Sequence, residues 1–375
     1  MTLPSIRSIP AIRGKRIIVR AALNAPLEGG AVGNDFRLRA NLETLRFLQG
    51  AGARLSVLGH VEQPGADSLR SIYEWLSRAL TNVRFADGVS MVGAVRDGEI
   101  VLLENVRRHE GEKKNDPVFS QELASLGEIF VNEAFADSHR EHASIVGLPL
   151  LMPSYVGFRF EEEVKNLSRA FSPRHPFVVI LGGAKFSTKL PLIERFVAVA
   201  DTIFIGGALV IDFYRTLGYE VGMSLVSDGE YDFSRLLANE KIKIARDAVV
   251  QTKDGERRTV NARDVSPREA ILDNGPAFVS EIARAVSSAK FVLWNGPLGN
   301  FERGFWESTH GVAQAIASSA AESIVGGGDT ITAITRLNLF EKFDFVSTGG
   351  GAMLDFLATG TLPGIEAIRM SPKFS

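Results

Sequence analysis

The stretch FVVILGGAKFSTKL, residues 177–190, joins a run of apolar residues to two glycines and two lysines. A continuous apolar run bounded by turn residues is typical of a strand covered on both faces, as in a parallel sheet. Glycines after such a strand let the backbone approach a ligand, and successive N–H groups at the next helix start bind anions. Because Lys185 and Lys189 are four residues apart, we predict that they lie on a helix start and share one face.

The same pattern of an apolar run, a turn and a helical segment recurs along the chain. The runs are KRIIVR, RLSVLGH, EIVLLEN and EIFVNEAF in the first half, and FVVILGG, TIFIGGA, KIKIARD, KFVLWNG, ESIVGGG and FDFVSTGG in the second. Segments between them, such as ANLETLRFLQGAG, have helical spacing and often end at glycine. Repeated βαβ units in two blocks predict an α/β fold with two doubly wound parallel-sheet domains.

A charged stretch between the two blocks, GFRFEEEVKNLSRAFSPRHP, predicts a helix that joins the domains, with a hinge at each end. We predict a first domain over 1–156, an interdomain helix over 157–172, a second domain over 173–354 and a C-terminal segment over 355–375. Residues 226–262 are more polar, and their pattern does not indicate an element.

The composition narrows the class of protein. The 42 basic and 44 acidic residues give a net charge of -2, which argues against a general nucleic-acid surface but is compatible with a local basic cleft. The absence of cysteine excludes disulfides and thiolate metal sites. No run approaches the ~20 apolar residues of a membrane span, and the N-terminus lacks a signal-peptide core. We therefore expect a cytoplasmic protein with no nucleic-acid or membrane partner.

Ligands of open α/β sheets bind at the carboxyl ends of the strands, where the first block places cations and amides. These residues are Asn24, Arg37, His60, Arg107, Arg140 and His142. Each one alone could be a solvated loop residue. Their repeated position after strands predicts an anion site, because guanidinium groups match phosphate and carboxylate.

The second block places glycines at the strand ends, in LGGAK, IGGA, NGPLG, VGGGDT and STGGG. One glycine pair could be only a tight turn, but five favour a phosphate-binding rim, with Asp329 facing a magnesium ion. The chain lacks GxxxxGK[ST], a GxGxxG with a distant acidic partner, and the protein-kinase signatures, which disfavours P-loop, dehydrogenase and protein-kinase functions. An anion site and a polyphosphate site on two hinged domains favour phosphoryl transfer.

Several longer motifs closely resemble phosphoglycerate kinase, in that family's order and over nearly the whole chain. They are LLENVRRHEGEKKND, LASLGEIFVNEAFADSHREHAS, VILGGAKFSTKL, VLWNGPLGNFE, SIVGGGDT and FVSTGGGAMLDFL. The resemblance implies an N-terminal domain for 3-phosphoglycerate, a C-terminal domain for Mg-ATP or Mg-ADP, and last residues that pack on the first domain. It also implies reversible transfer of the γ-phosphoryl group of ATP to the carboxylate of 3-phosphoglycerate, in glycolysis and gluconeogenesis. We expect Mg²⁺ as cofactor, ATP and ADP as substrates, and a monomer.

The resemblance also assigns roles, residue by residue. Acceptor binding falls to Asn24, His60, Arg107, Arg140 and His142, and catalysis to Arg37, Lys185, Lys189, Gly327 and Gly350. Nucleotide binding falls to Lys189, Gly206, Gly207, Asn295, Glu302, Gly327, Gly328, Asp329 and Thr330. Within these sets, Glu302 would contact the ribose, Asp329 the metal, and the N–H groups of residues 349–351 the transferred group. Fixed cations and N–H groups suit a transition state that spreads negative charge over oxygens.

The chain departs from the family pattern mainly on the acceptor side. VRAALNAP has Ala22 where VRVDFNVP has an aspartate, and GHVEQP has Glu62 and Gln63 where SHLGRP has glycine and arginine. Arg108 stands where an aromatic is common, and it could recover part of the acceptor binding that these changes remove. On the nucleotide side, IGGA replaces a triple glycine, and Ala245 replaces a proline. Two lost hydrogen bonds to charged groups, of about 1.5–3 kcal/mol each, would weaken acceptor binding on the order of 10²- to 10⁴-fold.

Three functions are compatible with these departures. The first is a working but divergent phosphoglycerate kinase, and the second is a related kinase with a different carboxylate acceptor. The third is a non-catalytic nucleotide-binding or regulatory protein. The retained residues Arg37, Lys185, Lys189 and Asp329 argue against the third.

Overall fold

A computed structural model of the chain describes residues 3–65, 67–227 and 231–372. Residues 228–230 of the unassigned stretch and 373–375 of the predicted C-terminal segment lie outside the described residues. The chain divides into two compact units, Met1–Lys165 together with Thr359–Ser375, and Asn166–Ala358. In the described ranges, no helix is both long and apolar enough to cross a bilayer.

The first unit is built on a parallel sheet. Its strands are β1 (Arg16–Arg20), β2 (Leu27–Glu28), β3 (Ala31–Val32), β4 (Arg54–Leu58), β5 (Val83–Ala86), β6 (Ile100–Leu103), β7 (Ile129–Asn132) and β8 (Ser154–Val156). Six of them form the sheet in the order β5-β6-β4-β1-β7-β8, while β2 and β3 form a short antiparallel pair. In the central strand β1, the buried Val19 pairs with Val57 on one side and with Val131 on the other.

The second unit contains a second parallel sheet and a small antiparallel one. Its strands are β9 (Phe177–Leu181), β10 (Thr202–Ile205), β11 (Ile242–Ile244), β12 (Asp247–Thr252), β13 (Arg257–Asn261), β14 (Glu269–Asn274), β15 (Phe291–Asn295), β16 (Glu322–Gly326) and β17 (Phe345–Ser347). The parallel sheet has the order β11-β10-β9-β15-β16-β17, and the antiparallel sheet the order β13-β12-β14. The predicted α/β fold with two doubly wound parallel sheets is therefore confirmed.

Helices connect the parallel strands. In chain order they are α1 (Phe36–Arg39), α2 (Leu42–Gly50), α3 (Arg70–Ala79), α4 (Glu110–Lys113), α5 (Pro117–Ala124), α6 (Phe158–Ser168), α7 (Leu190–Val199), α8 (Leu209–Thr216), α9 (Ser234–Leu237), α10 (Pro276–Ser288), α11 (Glu307–Ala317), α12 (Gly328–Arg336), α13 (Gly351–Thr359) and α14 (Pro363–Arg369). The helix α2 shows why such segments fold: Leu42, Leu45 and Leu48 recur at helical spacing and are all buried. Burying each such side chain contributes about 1.5–3 kcal/mol.

The antiparallel sheet lies largely within residues 226–262, the stretch whose sequence pattern does not indicate an element. Strand β13 is exposed except at Val260, and β12 alternates between buried and half-buried residues. Neither strand therefore has the continuous apolar run that marks the strands of the parallel sheets. The edge strand β5 has a similar half-buried character, which explains why its sequence gives no signal.

The two parallel sheets place different groups at their carboxyl ends. Strands β1, β4, β6 and β7 are followed by charged and amide side chains, whereas β9, β10, β15, β16 and β17 are followed by glycines. These are the edges at which open α/β sheets bind their ligands.

Candidate active site

Arg20, at the end of β1, organises the buried part of the first unit's edge. Its side chain is fully buried and donates from Nε to Ser144 Oγ at 2.9 Å and from Nη1 to the Ala21 carbonyl at 2.6 Å. Its Nη2 lies 3.0 Å from His60 Nδ1 and 3.4 Å from Asp137 Oδ2. Because a guanidinium only donates, His60 Nδ1 accepts and the imidazole proton lies on Nε2.

Asp137 is a buried carboxylate that sequence reasoning did not single out. Its Oδ1 lies 3.6 Å from Arg107 Nη2, so it links Arg107 to Arg20. Burial alone would raise the pKa of Asp137, but the charges of Arg20 and Arg107 outweigh burial and lower the pKa below its usual range. The only signal in the sequence is its place shortly after β7, within the motif that contains Arg140 and His142.

The two predicted histidines are neutral at ordinary pH. Burial, with the neighbouring arginine charges, lowers the pKa of His60 to about 3 and that of His142 to about 4. The His142 Nδ1 atom is buried, has no hydrogen-bond partner within the described residues and lies 3.9 Å from Glu112 Oε1. Both side chains can therefore offer hydrogen bonds to an anion without adding charge.

Asn24, Glu62, Arg107 and Lys113, which we call the acceptor corner, form a second connected group in the first unit. Arg107 Nη1 donates to Glu62 Oε2, and Lys113 Nζ donates to Glu62 Oε1 at 2.7 Å. The Glu62 backbone N–H donates to Asn24 Oδ1 at 3.1 Å. Lys113 was not predicted, although it lies inside a motif that the sequence identifies. Arg107 lies in the loop after β6 and Lys113 on α4, which follows that loop, so both cations reach the Glu62 carboxylate.

Arg37 and Arg140 lie near this group. Arg37 Nη1 donates to the Asn24 carbonyl at 2.7 Å. The Arg140 side chain is exposed, and its charge adds to burial in lowering the pKa of both Arg107 and His142. The structure thus brings the six residues predicted for the anion site to one edge of one unit.

The departures from the family pattern have their own partners in the structure. Ala22 packs in a small apolar cluster with Ala134, Ile145, Val146 and Ala367. Gln63 Oε1 accepts a hydrogen bond from the Leu27 backbone N–H at 3.2 Å. Arg108 pairs with Glu104 at 3.1 Å and with Asp67 at 3.8 Å, so it is engaged away from the acceptor corner.

In the second unit, the two predicted lysines do not share a face. Lys185 is exposed and precedes a 3-10 turn over Phe186–Thr188, whereas Lys189 is buried and precedes α7. The prediction of one helix start for both is wrong, because Pro191 in the first turn sets the beginning of α7 at Leu190.

The environment of Lys189 is buried but polar. Its side chain is 6% exposed, and Nζ donates to Asn295 Oδ1 at the end of β15. Burial lowers the pKa of Lys189 to about 7. A nearby phosphate would favour the charged form, so this amine can gain a proton when an anion binds.

The glycine after β10 is required by close backbone packing. Gly207 has φ +63°, and a Cβ there would lie 2.7 Å from Gly183 N and 2.8 Å from the Pro297 carbonyl. Its N–H donates to Asn274 Oδ1 at 2.7 Å. Sequence reasoning missed Asn274, whose only signal is the polar pair DN at the end of β14. Gly206, its neighbour, is buried beside the same asparagine.

The start of α12 provides the second part of the rim. Gly327 precedes the helix with φ +103°, and the buried Thr330 Oγ1 accepts from the Gly296 N–H at 3.1 Å. Gly328 and Asp329 are exposed on the first turn. The N-terminus of a helix attracts anions through its free N–H groups and its dipole.

Asp329 is the predicted metal ligand, and its surroundings fit a magnesium ion held together with phosphate oxygens. Across the described part of the chain, Asp329 forms no ion pair, and no group of three His, Asp or Glu side chains converges on one point. Mg²⁺ commonly uses one or two carboxylates together with substrate phosphates and water, rather than a cage of protein ligands.

The remaining predicted residues also belong to the second unit. Glu302 is exposed on a 3-10 turn over Phe301–Arg303, which Asn300 Oδ1 caps at 3.1 Å. Gly350 has φ +55° and directly precedes α13. Ala245 is buried, and its carbonyl accepts from the Tyr214 hydroxyl at 2.7 Å.

Comparisons with known proteins agree with this architecture. The family model for phosphoglycerate kinase matches residues 6–360. A phosphoglycerate kinase of Thermus thermophilus is 42% identical over 380 residues, covering 95% of this chain and 97% of the relative. That of Coprothermobacter proteolyticus is 41% identical, covering 98% and 99%. The solved structure of the phosphoglycerate kinase from Coxiella burnetii superposes with a TM-score of 0.85 at 33% identity, covering 98% and 99%. The chain belongs to the phosphoglycerate kinase family.

Proposed function

We propose that the chain catalyses reversible transfer of the γ-phosphoryl group of ATP to the carboxylate of 3-phosphoglycerate. The observation that carries the proposal is that a chain of this family has two different anion-binding edges, one in each unit. One unit gathers Arg37, Arg107 and Arg140 with neutral histidines at its sheet edge, and the other gathers glycines and Lys189 at its own.

In the first unit, we assign Asn24, His60, Arg107, Arg140 and His142 to binding of the acceptor. Arg37 has a fixed position because it donates to the Asn24 carbonyl, and we assign it to stabilising the transferring phosphoryl group. Guanidinium groups suit this role because the transition state spreads negative charge over the phosphoryl oxygens.

In the second unit, we assign Lys185 to the transferring group and Lys189 to the nucleotide phosphates. The backbone N–H groups near Gly327 and Gly328 would donate to phosphate oxygens, and those near Gly350 to the transferred group, with Thr330 holding the start of α12 in place. Gly206 and Gly207 would lie near the nucleoside. Glu302 would bind the ribose, and Asn295 would position Lys189 as well as contact the nucleoside. No protein nucleophile is needed for a direct transfer.

We assign Asp329, together with phosphate oxygens, to holding Mg²⁺. When bound, the ion neutralises part of the charge on the nucleotide phosphates. The monomeric state and the cytoplasmic location stay predictions from the sequence.

The proposal is tested by coupled kinetics with Mg-ATP and 3-phosphoglycerate. We expect turnover, and we expect Arg37→Ala to lower it by about 10²- to 10³-fold, as for loss of one charge-stabilising donor. Arg46→Ala is the control, because Arg46 is exposed on α2 and donates to the Ala79 carbonyl of α3. Wild-type protein that binds Mg-ATP but does not turn over would contradict the proposal.

A second candidate function is a kinase for another carboxylate acceptor. It is favoured by Glu62, whose carboxylate lies on Arg107 and Lys113, and by the engagement of Gln63 with the Leu27 backbone. A screen of carboxylates without a phosphate group decides between the two. A higher kcat/KM for one of them than for 3-phosphoglycerate would support this function, whereas no turnover with any acceptor would support a non-catalytic protein.

A further inference from the structure

The Glu62 carboxylate lies on two cations of the acceptor corner. Its two oxygens accept from different side chains, Oε2 from Arg107 Nη1 and Oε1 from Lys113 Nζ at 2.7 Å. The hydrogen bond from Lys113, with the charge of Arg107, lowers the pKa of Glu62, so the group is an anion at neutral pH. The corner therefore already contains one internal anion.

The side-chain carboxylate of Glu62 is not needed to hold its own loop. The backbone of Glu62 is fixed by Asn24 Oδ1, and the adjacent Gln63 side chain is fixed by the Leu27 N–H. These two contacts involve no atom of the Glu62 side chain. The carboxylate is also 52% exposed, so it can move away from the cations without opening a cavity.

Arg107 retains a donor for a ligand. Its side chain is only 7% exposed, and Nε is buried without a hydrogen-bond partner among the described residues. Its other contacts are the carboxylates of Glu62 and Asp137. Such an unsatisfied buried donor is unfavourable and is relieved when an acceptor oxygen reaches it.

We propose that Glu62 is a specificity-determining residue that competes with the phosphate end of the acceptor for Arg107 and Lys113. The proposal rests on the proposed function. A phosphate group that binds these cations must displace the Glu62 carboxylate or lie against its negative charge. An acceptor that is uncharged at that end avoids this competition, so Glu62 penalises 3-phosphoglycerate relative to such acceptors.

The test is the kinetics of Glu62→Gln with Mg-ATP and 3-phosphoglycerate. Glutamine keeps the size of the side chain and removes the charge. We expect the KM for 3-phosphoglycerate to fall on the order of tenfold, a change of about 1.4 kcal/mol. The KM for Mg-ATP does not change. Inorganic phosphate, used as a competitive inhibitor against 3-phosphoglycerate at saturating Mg-ATP, reports on the phosphate subsite, and its inhibition constant falls by a similar factor.

Glu110→Gln is the matched control. Glu110 also pairs with a lysine, Lys114, at 3.0 Å, but both side chains are exposed and neither contacts the acceptor corner. This variant makes the same change of charge on α4, the helix that contains Lys113, and leaves both constants at their wild-type values.

The outcomes separate this proposal from the proposed function. Turnover with an unchanged KM for 3-phosphoglycerate in Glu62→Gln would overturn the role of Glu62 alone. An equal fall in KM in Glu110→Gln would also overturn it, because general charge would then be the cause. Absence of turnover in every variant would overturn the proposed function and this proposal together.

Discussion

The acceptor corner of the first unit and the glycine rim of the second are both suited to bind an anion, but with different groups. The glycine rim consists of the glycines that follow β9, β10, β15, β16 and β17, together with Lys189. In the corner, the cations Arg107 and Lys113 already bind the carboxylate of Glu62. In the rim, the groups are backbone N–H donors and one buried amine, Lys189, whose polar contact is the neutral Asn295. The described part of the rim therefore has no internal anion that a ligand must displace.

This difference predicts that the two ligands respond differently to substitutions. In the corner, the Glu62 side chain is 52% exposed, so an acceptor anion can displace its carboxylate from the cations without rearranging the core. The rim depends instead on backbone geometry and on burial, where small changes have large effects. Substitutions in the second unit should therefore cause the largest losses of activity and stability.

Lys189→Met should cause the largest loss of activity. It removes a buried amine that Asn295 holds in place, and we expect kcat/KM to fall by about 10³-fold, as when a preorganised donor to the transition state is removed. Coupled kinetics measure the effect. Lys241→Met is the control, since Lys241 donates to the Val197 carbonyl. It directly precedes β11, at the amino end of the strand, whereas the rim lies at the carboxyl ends. A fall below tenfold would remove Lys189 from the catalytic set.

Gly207→Ala should have the next largest effect, on folding as well as on nucleotide binding. The new Cβ would clash with Gly183 and Pro297 at a positive φ. We expect a loss of about 2–4 kcal/mol in the free energy of unfolding, measured with urea. Gly218→Ala has a similar φ of +76° but open space around the Cβ, so it isolates the backbone strain and should lose about 1 kcal/mol. Equal losses in the two variants would show that the close packing of Gly207 is unimportant.

Ala22→Asp should destabilise the first unit by about 1–3 kcal/mol, because it places a carboxylate in a buried apolar cluster. The family aspartate therefore cannot simply be restored at this position. Urea unfolding of Ala22→Asp beside Ala22→Asn separates the charge from the size of the side chain. A variant of full stability with a lowered KM for 3-phosphoglycerate would contradict this account of the cluster.

The smallest effect concerns pH. Burial lowers the pKa of Lys189 from 10.5 to about 7, so the unfolded chain binds more protons than the folded one between these values. Stability therefore rises with pH in that window, by about 1 kcal/mol between pH 7 and pH 8 from this group. Unfolding free energies of the wild type minus those of Lys189→Met should show the rise. A flat difference would mean that Lys189 is not neutral in the folded state.

The sequence predicted the parallel sheets because their strands are continuous apolar runs, such as residues 177–181 in β9. It did not predict the antiparallel sheet, because two of its strands, β12 and β13, are largely half-buried or exposed and lack a continuous apolar run. In the candidate site, the cations, amides and glycines in the loops after the parallel strands were identified. Asp137, Lys113 and Asn274 were missed, because their importance depends on contacts between segments distant in sequence. The placement of Lys185 and Lys189 failed because Pro191 decides where the helix starts.

The comparison between the corner and the rim is tested most directly by calorimetric titration of 3-phosphoglycerate and Mg-ADP into the wild type and Glu62→Gln. Mg-ADP serves as the internal reference, because the proposed nucleotide site lies in the other unit. We predict that the ratio of the Kd for 3-phosphoglycerate to the Kd for Mg-ADP falls on the order of tenfold in Glu62→Gln, through the acceptor alone. An unchanged ratio, or a change carried by Mg-ADP, would contradict the account.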